Sequence, residues 1–199
     1  MTKNTAFDKL SEYPKKLGLE FDTHQSRQRL YLFPDDPIEN TKFVIFKVSD
    51  LFFQAFDSVA AKAYVSKTFT GLYGLINLPI ETNLKVYKRD WTDKFLRSHK
   101  RKLGDSNIDK NLTITSRSKS IPNGLITEKT CEIFLNLYAI ISPVKIIIDF
   151  DYVNRIADLR NKVVVGVETN QWLYDNSNVD QFISLGGDII SNFISNASA

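Results

Sequence analysis

The period of the apolar residues changes halfway along this chain. Residues 42 to 57 read Lys-Phe-Val-Ile-Phe-Lys-Val, then Ser49-Asp50, then Leu-Phe-Phe-Gln-Ala-Phe-Asp. Aromatic and β-branched residues on both sides of a polar pair predict two strands joined by a hairpin turn, although Ser-Asp is a weaker turn than Asn-Gly. Upstream, Thr5 is placed to cap a short helix that shows apolar Phe7 and Leu10 and ends near Pro14 and Gly18. Arg29-Leu30-Tyr31-Leu32-Phe33 reads as a strand closed by the turn Pro34-Asp35-Asp36-Pro37. From Val59 to Ile80, Tyr64, Val65, Phe69, Leu72, Tyr73, Leu75, Ile76 and Leu78 surround Gly71 and Gly74 and lead to Pro79. Long or bulged strands suit that stretch, with a helix over Val59–Lys67 as the alternative. Leu84-Lys85-Val86-Tyr87 adds a further strand, so the first half reads as an antiparallel meander.

In the second half the spacing becomes helical. Ile126, Thr130, Ile133, Phe134, Leu137, Ile140 and Ile141 share one face of a helix that Thr127 caps and Pro143 stops. Val144–Phe150 and Lys162–Glu168 follow as buried strands. The last helix carries Phe182, Leu185, Gly186, Ile189, Ile190, Phe193 and Ile194 on one stripe, which requires a packing partner. Two glycines inside that periodicity, Gly186 and Gly187, point to close helix packing or a break. The predicted class is α+β: an N-terminal antiparallel meander, then a helix-strand-strand-helix half, sharing one core.

With 199 residues, 43% of them hydrophobic, the chain is long enough to bury a core without disulfides or metals. One domain over 1–199 is expected, with 1–90 as a β-rich half and 91–199 as an α/β half. A single cysteine, Cys131, excludes an internal disulfide and fits a reducing compartment, where its simplest role is a small buried helix residue. The first eight residues lack the apolar core of a signal peptide, and Ile133–Phe150 is interrupted by Asn136, Ser142, Pro143 and Lys145, so no bilayer span is expected. A cytoplasmic location follows, in which the sequons at Asn111 and Asn196 carry no information.

Several short segments resemble a bacterial family of unknown function whose members often follow an N-terminal pair of membrane helices. They are Val48-Ser49-Asp50-Leu51, Thr68-Phe69-Thr70-Gly71-Leu72-Tyr73, Ile108-Asp109-Lys110-Asn111-Leu112, and Leu125-Ile126-Thr127-Glu128 opening a helix. The likeness covers roughly residues 42 to 170, and this chain lacks the membrane hairpin. The resemblance implies the order of meander first and helix-strand unit second, and no activity, ligand or catalytic residue.

Ile146-Ile147-Ile148-Asp149-Phe150-Asp151 is a buried strand ending in Asp-x-Asp, a pattern that resembles the nucleophile and acid/base pair of magnesium-dependent phosphoryl transfer. Such folds open with that strand, whereas here it comes late, so two solvated aspartates ending a strand are the simpler reading. Asp149, Asp151 and Glu168 on adjacent strands are candidates for a nuclease carboxylate cluster, but no lysine follows Glu168 in register. His24 in a polar turn and His99 in a basic run are expected at the surface. The chain has no G-x-S-x-G, no phosphate-binding glycine loop and no H-E-x-x-H. No catalytic residue, metal or cofactor is assigned.

The strongest charge segregation lies at 85–102, where eight bases, among them Lys88, Arg89, Lys94, Arg97, Lys100, Arg101 and Lys102, face Asp90 and Asp93. That is +6 in a chain of net +3, a candidate surface for a polyanion. Trp91, Trp172 and Tyr174 are candidate partner anchors, with core packing the more frequent fate of such residues. The sequence orders the functions as follows: a non-enzymatic interaction or ligand-binding module first, with a protein partner or homo-oligomer admitted; nucleic-acid or polyanion binding through 85–102 second; a metal-dependent phosphoryl-transfer enzyme using Asp149 and Asp151 third.

Overall fold

A computed structural model describes residues 5–30, 33–60, 65–91, 99–118 and 121–198; at 27–30, 33–40, 59–60 and 65–66 it describes the backbone alone. The first element, α1 (Ala6–Lys16), starts where Thr5 predicts. The Thr5 hydroxyl accepts from the Asp8 amide, and the Asp8 carboxylate accepts from the Thr5 amide, a reciprocal box that satisfies two orphan donors. Leu10 and Tyr13 are buried on its inner face. Four strands follow: β1 (Phe21–Leu30), β2 (Phe33–Val48), β3 (Leu51–Ala60) and β4 (Val65–Leu75), each antiparallel to the next. The β2–β3 turn falls on Ser49-Asp50, with Ser49 in the left-handed region at φ 53°.

Two expectations are corrected here. Pro34-Asp35-Asp36-Pro37 is not a turn but part of β2, where Pro37 lies opposite Arg29. The register against β1 jumps from Leu30–Phe33 to Arg29–Pro37, leaving Pro34, Asp35 and Asp36 without a partner there, and pairing of β2 with β3 begins only at Thr41 and Ser58. Both prolines thus sit in an irregular, one-sided stretch of the sheet, where proline is tolerated. His24, expected in a turn, lies in β1 opposite Phe43, with the two rings stacked at 5.3 Å.

After β5 (Leu84–Lys88) come β6 (Lys100–Arg101), α2 (Ser106–Asn111) and β7 (Leu112–Thr115). The α3 helix (Glu128–Ile140) is capped by Thr127 and followed by β8 (Val144–Phe150), β9 (Val163–Thr169) and α4 (Asn176–Ala197), the last capped by Asp175. The described strands form one nine-stranded sheet, β1-β2-β3-β4-β9-β8-β5-β7-β6, antiparallel throughout. The mixed α+β class read from the sequence is present, with the sheet dominating. No described helix is long and apolar enough to cross a membrane.

All of α1, α3 and α4 pack on one face of this sheet. Their side chains join Phe46, Phe53, Leu72, Val86, Ile114, Ile146, Ile148, Val165 and Val167 in a single buried cluster that draws on both halves of the chain. The α4 helix stays unbroken through Gly186 and Gly187. A Cβ on Gly186 would lie 3.3 Å from the Leu72 side chain and one on Gly187 3.4 Å from Leu51, so both glycines serve close helix-to-sheet packing. Cys131 is buried in α3. The opposite face is covered only in part. There residues 151–162, connecting β8 to β9, fold back over the strands and bury Val153, Ile156 and Leu159 against Phe52, Tyr73, Ile147 and Val164.

Candidate functional site

Strand alternation decides what this second face presents. Because Leu72, Val167 and Ile146 point to the helices, their neighbours Tyr73, Glu168, Lys145 and Ile147 point the other way. Tyr73 lies across the sheet, and this explains two glycines. A Cβ on Gly71 or on Gly166 would fall inside the Tyr73 ring. The pairing of β3 with β4 runs without a register shift past Gly71, so this glycine makes room for the ring and does not mark a bulge.

The Tyr73 hydroxyl ends at Glu168, where it donates to Oε1 at 2.6 Å. On the other oxygen, Oε2, the Lys145 ammonium sits at 2.9 Å and the Tyr152 hydroxyl donates at 3.3 Å. Lys145 is directly opposite Glu168 in the β8–β9 ladder. The expectation that no lysine stands in register with Glu168 is therefore corrected: the lysine comes from the neighbouring strand. Glu168 is 4% exposed, and three donors surround its carboxyl group. Burial, and next the Glu168 charge, push the Tyr73 hydroxyl well above the ordinary tyrosine range and raise Tyr152 in the same direction. Both phenols thus remain protonated donors at neutral pH.

Above this cluster is a cavity of about 510 Å³ between the second face and the 151–162 connection. Its walls include Gln54, Phe69, Tyr73, Tyr87, Pro143, Val144, Tyr152 and Val153, with Glu168 and Lys145 in the lining and Lys67, Thr68, Asn154, Arg155, Thr169 and Asn170 completing it. The volume matches that of small-molecule sites, and the lining mixes aromatic and apolar side chains with polar and charged ones. The Arg155 guanidinium lies 4.5 Å from the Phe56 ring centroid, and the Lys67 ammonium 5.3 Å from that of Phe69. The two rings are themselves 5.3 Å apart.

The residues singled out from the sequence lie elsewhere. Asp149 accepts from the Asn83 side-chain amide at 2.9 Å and from the Phe150 amide at 3.0 Å. Asp151, in the left-handed region at φ 50°, accepts from the Asn161 amide at 3.0 Å. Both aspartates thus shape the ends of the β8–β9 connection, and Asp149 pairs with Val164, four positions along the ladder from Glu168. Among the described residues no three of His, Cys, Asp and Glu converge to hold a metal.

Of the basic segment, Lys88 ends β5 and Arg89 follows it; the Lys88 ammonium covers the Tyr138 ring at 4.6 Å and Arg89 donates to the Asp109 carbonyl. Lys100 and Arg101 form the outer strand β6, separated from β5 by β7, and Arg101 donates to the Ser118 carbonyl at 2.9 Å. Lys102 is exposed; Lys94 and Arg97 lie outside the described residues. Trp91 is 77% exposed. Trp172 packs beside the helical-face core, 6.3 Å from Phe7 and under the Lys42 ammonium, while Tyr174 is more open and carries Lys9 over its ring.

Sequence reasoning thus missed Tyr73, Lys145 and Tyr152 and did not place Glu168. The signal available was a charge set into each of two apolar runs, Lys145 in 144–148 and Glu168 after 163–167. Neither charge would enter such a strand without a partner.

No protein-family model matches the chain, and no curated protein matches it in sequence. A solved structure, that of the mycobacterial trehalose monomycolate transport factor A, is similar to it with a TM-score of 0.47 and 9% identity, over 97% of this chain and 94% of that one.

Proposed function

We propose that this chain is a non-enzymatic ligand-binding module of the bacterial cytoplasm, whose site is the cavity between the second sheet face and the 151–162 connection. In this reading β3 and β4 of the N-terminal antiparallel meander supply one wall, and Tyr87 of β5 with the helix-strand-strand-helix half supplies the rest. The observation that carries it is the Glu168 cluster in a cavity lined by four aromatic rings, Phe69, Tyr73, Tyr87 and Tyr152. Glu168 accepts from Tyr73 and Tyr152 and pairs with Lys145, so its first role is to anchor that network, and the partners lower its readiness to act as a general base. Such a network fixes the position of the surrounding aromatic rings and leaves the cavity above them to be filled by a guest. The lone buried thiol of Cys131 suits the reducing compartment assumed here.

Two fluorescent probes with one aromatic body, anilinonaphthalene sulfonate and N-phenylnaphthylamine, test this reading on the folded protein. At least one should bind saturably at one site. Asn154→Trp and Asn170→Trp, which place an indole at two exposed lining positions, should each weaken that binding about tenfold or more by occupying the guest's space. If neither probe binds, or if both variants leave binding unchanged while circular dichroism shows them folded, the cavity is not a ligand site.

A second reading, polyanion binding, is favoured by the exposed Trp91 together with Lys100, Arg101 and Lys102 along the outer edge of the sheet. The two readings place the contact surface on different strands.

A further inference from the structure

The charges around the cavity are unequal, and their pairing narrows the guest's chemistry. Four charged side chains line it: Lys67, Lys145 and Arg155 against Glu168. Lys145 is neutralised by Glu168 at 2.9 Å. Among the described residues no acid pairs with Arg155 or Lys67, and each rests instead on an aromatic face, Phe56 and Phe69 respectively. Arg155 also lies 5.7 Å from the Phe43 ring centroid, and such cation–ring contacts hold the guanidinium without giving its N–H donors an oxygen acceptor, so those donors are available to a guest. Because Phe56 and Phe69 pack together at 5.3 Å, the two cations belong to one corner of the site. Beyond that corner the lining turns apolar and aromatic, with Tyr73, Tyr152 and Val153.

Resting on the ligand-site reading above, we propose that the cavity takes a small anion with an apolar or aromatic body, its carboxylate, sulfonate or phosphate held by Arg155 and Lys67 and its body lying over Tyr73 and Tyr152. A cationic guest is disfavoured, because the acid in the lining is already paired. A neutral guest leaves Arg155 and Lys67 without a counter-charge.

The probe pair separates this proposal from the reading it rests on. The sulfonate and N-phenylnaphthylamine share a body and differ in the charged group, so their affinity ratio isolates the contribution of the anion. Wild-type protein should bind the sulfonate about tenfold tighter or more, as expected for one or two charge-assisted hydrogen bonds in a partly enclosed site. In Arg155→Gln with Lys67→Gln the ratio should fall to about threefold or less, and in Lys129→Gln, an exposed cation on α3, it should stay as in wild type. If both probes bind wild type equally, or the double variant keeps the full ratio, the anion proposal fails while the ligand site stands. If neither probe binds, both fail.

Discussion

A chain lacking residues 179–199 is expected to lose its cooperative fold. Val179, Phe182, Ile189, Ile190 and Phe193 have no exposed surface at all, and they meet β4, β9 and α3 from one stripe of α4. Removing a single buried Ile or Phe costs roughly 2–5 kcal/mol, so losing four such side chains together exceeds the roughly 5–15 kcal/mol that holds a typical domain folded. The exposed remainder would be the apolar helical face of the sheet, an aggregation surface. The truncated protein should be insoluble, or soluble without near-ultraviolet circular dichroism and without a sigmoidal urea transition. A soluble truncation that unfolds cooperatively would show that α4 is an appendage.

Replacing Glu168 by leucine should destabilise the protein by about 3 kcal/mol, a fall in midpoint temperature of about 6–12 °C for a chain of this size. The variant strands the Tyr73 hydroxyl, which is fully buried, and leaves Lys145 without its partner. Since the Lys145 side chain is 36% exposed, water screens part of its loss, which keeps the figure at the low end of the range for breaking a buried pair. Tyr73→Phe gives the decisive cycle. Alone it removes a satisfied hydrogen bond and should cost about 1 kcal/mol, but added to Glu168→Leu it removes an orphaned hydroxyl and should stabilise. An equal cost in both backgrounds would contradict the hydrogen bond as the coupling between the two residues.

How far the sequence could be read depended on whether a feature was local. Thr5, Thr127 and the Ser49-Asp50 turn act within a few residues of themselves, and each marks its element in the structure as the pattern suggests. The apolar stripe of α4 and its paired glycines were legible for the same reason, since helical spacing writes a packing face directly into the chain. Pro34 and Pro37 misled because proline is tolerated in a strand where the ladder is irregular or one-sided, and only the register shift against β1 and the start of the β2–β3 ladder at Thr41 reveal that. The candidate site was hardest to read because it is assembled by register. Glu168 meets Lys145 only when β8 and β9 pair, and Tyr73 reaches Glu168 only because Gly71 and Gly166 leave a trough for its ring. Charge content pointed to 85–102, yet the cations over the cavity that have no acidic partner among the described residues, Lys67 and Arg155, are single residues from distant segments that no run of sequence sets apart.

The central claim, a guest held on the second face of the sheet, is tested most directly by amide shift mapping during titration with anilinonaphthalene sulfonate. The account predicts that the largest shifts fall on 67–73 of β4, on Lys145, on Tyr152 to Arg155 and on Glu168 to Asn170, with the helical face and β6 unmoved. Shifts confined to Trp91 and Lys100 to Lys102, or spread evenly over the surface, would contradict it.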